Sequence, residues 1–238
     1  MVSGGSRWVG LEAVRRLAGR GYAVAVGYAR DRGAAQAIVE EVIATGGRAL
    51  TIRADVADEL DVERLFAETI EAFGDVDVVV HAATLLTQGT VTDDDLDWFD
   101  AVHRTNVRGT FVVNRQAARQ LRRGGAIVNV AGSSPGLAGA VSRGAVEAMT
   151  RVFARELRER DITVNALAAE RDSPHVAAAM ADVVALLVSG DGRSLNGQVI
   201  RVDAGPADDQ APPGTTPVAT RVPTRVNPGA TRSPDERR

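Results

Sequence analysis

Two stretches of this 238-residue chain have the residue types and spacing to do chemistry, and several familiar chemistries are missing. The first stretch is Ser3-Gly4-Gly5-Ser6-Arg7-Trp8-Val9-Gly10, which runs into an amphipathic segment. Glycines at the spacing of Gly4 and Gly10 let a backbone turn tightly and pack a helix close to it. The unpaired amides and positive dipole end of that helix then face a phosphate. Trp8 stands between them where a small residue is wanted, and its indole competes for the volume a pyrophosphate would fill. The second stretch, Gly125–Thr150, reads GAIVNVAGSSPGLAGAVSRGAVEAMT: a β-rich run, two serines, then a helix carrying Arg143. The chain has no cysteine, which excludes disulfides, thiol nucleophiles and cysteine metal sites. His81, His103 and His175 lack the spacing of a metal site, so no metal is expected. All the basic side chains are arginines, and the two tyrosines, Tyr22 and Tyr28, lie near the start. His81 reads as a packed, hydrogen-bonded side chain, with a replacement acid as the alternative. Asp93–Asp95 reads as a cap for the following helix, with a carboxylate cluster as the alternative.

Composition narrows the class. The hydrophobic fraction of 45% suits a soluble globular protein, and the length suits one large domain. A net charge of −3 gives no broad reason to expect nucleic acid or an anionic membrane as partner. No apolar run approaches the ~20 residues of a membrane span. The opening residues MVSGGSRWVG have neither the charged nor the apolar region of a signal peptide, so a cytoplasmic location is expected.

These stretches are held by a repeating pattern. Tyr22–Val26, Arg48–Arg53, Val76–Val80, Ala126–Val130, Ile162–Leu167 and Gly197–Val202 are short, nearly continuous apolar runs, as in parallel strands covered on both faces. Between them lie helical patterns: residues 11–18, 31–45, 58–73, 95–121, 140–160 and 174–188. This alternation predicts a single-domain, doubly wound α/β sheet over residues 1–205. A central strand should precede the glycine turn, yet only Met1 and Val2 stand before Ser3, so a truncated first strand is expected: either the sheet lacks its innermost strand or the chain's start lies too far downstream. From Pro206 to Arg238 the periodicity stops, and Pro, Thr, Asp and Arg dominate, which predicts a disordered tail.

Taken together, these motifs resemble the short-chain dehydrogenase/reductase family, in particular its 3-oxoacyl-acyl-carrier-protein reductases. SGGSRWVG resembles the family's T-G-x-x-x-G-x-G turn, RADVAD its adenine-contacting Asp-Val pair, and HRTNVRGTF the segment carrying an active-site asparagine. GAIVNVAGSS resembles the strand that delivers a catalytic serine, and NGQVIRVDAG the last strand. The resemblance implies a Rossmann-like fold and a nicotinamide cofactor held by Ser3, Gly4, Ser6, Arg7, Gly10, Arg30, Asp55, Val56 and Arg143. The second strand ends at Tyr28 without an acidic residue, and Arg7 and Arg30 offer forked donors for a 2′-phosphate. NADP(H) is thus the expected cofactor, with surface roles for both arginines as the alternative.

The same resemblance places the family's catalytic tyrosine at Gly139, its lysine at Arg143 and its serine at Gly132, with Ser133 next in the chain. Asn106 and Ser133 remain as candidate catalytic residues. The segment joining the serine strand to the helix is short, the family's N-N-A-G is His81–Thr84, and the substrate lid is reduced to RDSPHV. Two functions follow as expectations, beside a third reading, a decayed gene product with none. One is a family member with weak or absent carbonyl reduction, serving as a subunit, binding protein or non-redox catalyst. The other is an NADPH-dependent ketone or 3-oxoacyl reductase with substituted catalytic groups, acting on a small carbonyl or alcohol. The two long helices imply a homo-oligomer, or a heteromer with an intact relative.

Overall fold

Strand pairing turns the apolar runs into one parallel sheet. The computed structural model describes residues 1–86, 96–132, 136–169 and 173–203. Its seven strands are β1 (Val2–Ser3), β2 (Val24–Tyr28), β3 (Ala49–Arg53), β4 (Val76–His81), β5 (Leu121–Ala131), β6 (Thr163–Ala169) and β7 (Val199–Val202). They lie in the order β3-β2-β1-β4-β5-β6-β7. The chain winds outward from β1 to β3, then crosses back to β4 on the other side. Such a switch point opens a crevice at the C-terminal ends of the strands.

Among the described residues, seven helices cover the two faces: α1 (Trp8–Ala18), α2 (Arg32–Ala44), α3 (Glu59–Phe73), α4 (Leu96–Val102), α5 (Gly109–Gln120), α6 (Leu137–Glu156) and α7 (Pro174–Leu187). On one face Leu17, Ile38, Met180 and Val184 pack on Val26, Val80 and Val128. On the other, Leu65, Phe66, Val113 and Leu157 pack on Val79, Ile127 and Val164. Asp31, Asp58 and Ser173 cap α2, α3 and α7 by accepting from backbone N–H groups of their first turns. By contrast, no side chain caps α1 or α6.

Several boundaries differ from the sequence reading. The second strand begins at Val24 because the residues after α1 form a turn, with Gly21 at φ 87° and the Tyr22 N–H bonded back to the Leu17 carbonyl. Leu121 opens β5 instead of closing a helix. It pairs with Val76, and a bulge before Ala126, with Gly124 at φ 82°, absorbs the register shift. The single helix expected over 95–121 is divided by a wide π turn, His103–Arg108. The central strand is two residues long and works because it is paired on both sides. Val2 lies against Val26 and Val80, Ser3 against Gly27 and His81, and the Gly4 and Gly5 N–H groups extend the pairing to the Gly27 carbonyl. Asp93–Asp95, Ser133, Ser134 and the segment from Pro206 lie outside the described residues. No helix among the described residues is long and apolar enough to cross a membrane.

Candidate functional site

The glycine turn leaves β1 at the switch point and enters α1. Gly4 has φ 75°, and a Cβ there would lie 2.5 Å from the Ala83 backbone nitrogen, so no other residue fits. A Cβ on Gly10 would fall 2.2 Å from the Gly4 carbonyl oxygen. The two glycines expected to work together therefore meet in space and let the start of α1 close on the turn. Arg7 occupies the N-cap without a capping side chain, and no acidic residue stands in the first turn of α1. A helix start left uncapped in this way is suited by its amides and dipole end to an anion. This backbone fits a dinucleotide pyrophosphate.

Trp8 is the misfit within it. It adopts φ 46°, a left-handed conformation costly for a bulky side chain. Its Nε1–H is buried with no partner. The indole extends away from β1 toward the end of β5, since a Cβ built on Gly132 would lie 3.8 Å from Trp8 Cζ3. The ring therefore lies along the C-terminal edge of the sheet, in the crevice a dinucleotide would use.

Of the other candidate cofactor residues, Ser3 is fully buried and bonded to His81, Ser6 is half-buried, and Arg7 and Arg30 are exposed. Asp55 is half-buried, with one carboxylate oxygen held by Arg104 at 2.8 Å and the other accepting from the Ala57 N–H. Val56 is buried against Gly109, where an added Cβ would come within 2.8 Å of it.

The second part of the site is a small cavity at the end of β5 that opens to solvent. Asn106, Gly139, Ser142 and Arg143 line it, together with Thr84 and Gly132. The fold thus brings together Asn106 from the π turn and Gly139 and Arg143 from α6. Asn106 is buried and committed to the backbone: its Oδ1 accepts from the Leu85 N–H (2.8 Å), and its Nδ2 donates to the Leu85 carbonyl (3.0 Å) and to Ser142 Oγ (3.3 Å). The sequence reading missed Ser142 and Thr110. Ser142 ties α6 to Asn106, and Thr110 Oγ1 donates to the Asn106 carbonyl at 2.6 Å. The signal for both is spacing, since Thr110 is four residues after Asn106 and Ser142 is next to Arg143. Gly132 is crowded: a Cβ there would lie 2.6 Å from Leu86 Cδ2 and 2.9 Å from Thr84 Cγ2. Arg143 is half-buried and presents a guanidinium, which donates hydrogen bonds and accepts none. Ser133 lies outside the described residues. Among the described residues no group of His, Cys, Asp and Glu side chains could hold a metal ion.

His81 ends β4 beside this site. Ser3 Oγ lies 2.8 Å from its Nδ1, and the ring is 1% exposed. Burial pushes its pKa down from 6.5 to about 4, so it is neutral at physiological pH and cannot serve as a ready acid there. The packed, hydrogen-bonded reading is the one observed. The unfolded chain takes up its proton below pH 6.5 and the folded chain only near pH 4, so stability falls as pH drops through that window. The expected loss is about 3 kcal/mol. Urea unfolding at a series of pH values should show this decline, and His81→Asn should flatten it. An equal decline in the variant would assign it to other groups.

A family model described as enoyl-(acyl carrier protein) reductase matches residues 5–171. A versicolorin reductase of Emericella nidulans is 37% identical over 175 residues, covering 71% of this chain and 66% of that relative. The chain therefore spans just under two-thirds of that relative's length. A 3-oxoacyl-[acyl-carrier-protein] reductase of Staphylococcus aureus is 36% identical over 176 residues, covering 71% of this chain and 72% of the relative. Among solved structures, a short-chain dehydrogenase from Burkholderia cenocepacia in complex with NADP superposes with a TM-score of 0.78 at 34% identity, over 86% of this chain and 96% of that one. A dehydrogenase/reductase from Sinorhizobium meliloti gives 0.79 at 32%, over 86% and 92%. With the parallel sheet, the glycine turn at its switch point and these matches established, the chain belongs to the short-chain dehydrogenase/reductase family of NAD(P)-dependent oxidoreductases.

Proposed function

We propose that this chain is an NADP(H)-binding, assembling member of its family with weak or no carbonyl-reducing activity of its own, working as a subunit, a binding protein or a non-redox catalyst. The observation that carries the reading is the cavity where Asn106, Gly139 and Arg143 meet. The family resemblance puts a tyrosine and a lysine at the last two places, and the chain has no lysine and no tyrosine beyond Tyr28 to replace them. A positioned general acid contributes about 10²–10⁴-fold to a rate. A donor polarising the carbonyl contributes about 10²–10³-fold at comparable oxyanion sites. Arg143 supplies positive potential but no exchangeable proton at working pH. The crowding at Gly132 supports the same reading, because a serine side chain there meets Leu86.

A bound nicotinamide cofactor would supply or accept the hydride. This chain's own part is to seat the pyrophosphate on the Gly4–Gly10 turn, with Ser6 and Arg7 beside it. Asp55 and Val56 would flank the adenine, and Arg143 would face the nicotinamide ribose. Arg7 and Arg30, with Tyr28 in place of an acidic residue, support NADP(H) over NAD(H). The NADP in the Burkholderia structure agrees with that preference. NADPH titration should give saturable binding, weaker with NADH, and Arg7→Ala/Arg30→Ala should erase the preference. Equal affinity for both cofactors in the parent protein would remove it.

Assembly rests on leftover apolar surface. Phe111 on α5 and Val141 and Val152 on α6 are each more than two-fifths exposed, and the Phe111 and Phe153 rings lie 6.5 Å apart. Burying such a face across a two-fold axis gives a dimer. Light scattering should show a homodimer or larger, and Phe111→Glu/Val152→Glu should yield monomers. A parent chain that is monomeric and captures no family relative from its own cell would remove the subunit role. The second reading, an active ketone or 3-oxoacyl reductase with substituted groups, is favoured by the reductases among the relatives. A 3-oxoacyl thioester and a simple ketone are the substrates to try.

A further inference from the structure

One helical turn below the candidate cavity lies a layer of buried polar side chains with hydrogen-bonding atoms to spare. His81, Asn114 and Asn129 are 1%, 0% and 0% exposed. Ser3 Oγ meets His81 Nδ1 at 2.8 Å, and Asn129 Nδ2 donates to Thr150 Oγ1 at 3.1 Å. His81 Nε2, Asn129 Oδ1 and both amide atoms of Asn114 have no protein partner. Native proteins rarely leave such atoms unsatisfied, and four in one layer need an explanation.

The topology gathers them. His81 and Asn129 stand opposite each other in the β4–β5 register, so their side chains leave the same face of the sheet. Asn129 reaches α6 through Thr150. Thr110 of α5 and Val146 of α6 line the cavity above. Asn114 and Thr150 follow them by four residues on the same helix faces, one turn further along α5 and α6, and both helices pack on β5 and on each other.

We propose that this layer is a built site for internal water, with one or more buried molecules bridging His81, Asn114 and Asn129. The inventory of donors and acceptors selects the ligand. With the Ser3 hydroxyl donating to Nδ1, His81 offers an Nε2–H that needs an acceptor. Asn129 Oδ1 needs a donor, and Asn114 needs one of each. Water does both, and a polar site with two to four partners is where a buried molecule is held. An ion does not suit, because an imidazole and two amides present no charge to neutralise it. The water fixes the His81 tautomer and joins β1, β4, β5, α5 and α6 beneath Asn106, whose carbonyl accepts from Thr110 Oγ1.

A crystal structure of the full chain at a resolution that shows ordered solvent is the test. The expected result is density within hydrogen-bond distance of His81 Nε2, Asn129 Oδ1 and an Asn114 amide atom. Direct pairing of these side chains, or a dry layer, overturns the proposal. A thermal cycle adds a readout in solution. Asn114→Leu and Asn129→Leu should each lower Tm by roughly 3–9 °C. The double variant should lose clearly less than the sum, because one substitution already removes the shared water. Additive losses count against the site, and if a leucine variant fails to fold, Asn114→Ser and Asn129→Ser run the same cycle.

Discussion

Gly139→Tyr/Arg143→Lys should raise NADPH-dependent reduction of a 3-oxoacyl thioester by about 10²-fold or more over the parent chain. Both positions line the cavity that Asn106 walls, on the long helix α6, so the new side chains start from a rigid backbone. A tyrosine at 139 supplies the proton that a developing alkoxide needs. A lysine one turn on, unlike Arg143, is a compact charge that lowers the tyrosine's pKa. The two act as a unit, so each single variant should give much less than the double. Adding Gly132→Ser requires the ends of the Leu86 and Thr84 side chains to shift, because they lie 2.6 Å and 2.9 Å from where the new Cβ would stand. A folded, NADPH-binding double variant with parental activity would show that the deficit lies elsewhere.

Much of the fold is legible in the order of the residues. Continuous apolar runs separated by amphipathic ones dictate a parallel sheet covered on both faces, and the strands fall within a few residues of the bounds those runs predict. Gly4 and Gly10 are legible because the spacing of two small residues encodes their close approach. The bulge at Arg122–Gly125 is not legible, since a register shift depends on the partner strand and not on local pattern. Nor is the division between α4 and α5, where the sequence keeps its helical period and the hydrogen bonding alone widens. Asn106 is found by motif, but its clasp on Leu85 is not, because that contact joins residues 21 apart. The polar layer of His81, Asn114 and Asn129 is equally hidden: each reads alone as an ordinary strand or helix residue, and only topology stacks them.

Trp8→Gly should lower the Kd for NADPH about tenfold, which corresponds to about 1.4 kcal/mol. Two costs of the parent structure disappear in the variant. The left-handed φ of 46° becomes ordinary for glycine, and the buried Nε1–H without a partner is gone. The indole also leaves the crevice between the glycine turn and Gly132. Calorimetry on both proteins measures the difference. Unchanged affinity, or a parent chain that already binds as tightly as the variant, would show that the ring does not obstruct the cofactor.

The proposed function pairs NADP(H) binding with loss of the proton relay at Gly139 and Arg143. Turnover measures it most directly. The purified parent chain is saturated with NADPH and mixed with the 3-oxoacyl thioester or the ketone, and the nicotinamide absorbance is followed beside an intact reductase of the same family. The expected result is NADPH binding with oxidation slower than in that relative by about 10³-fold or more. Oxidation at the relative's rate, with reduced product formed in equal amount, would contradict it.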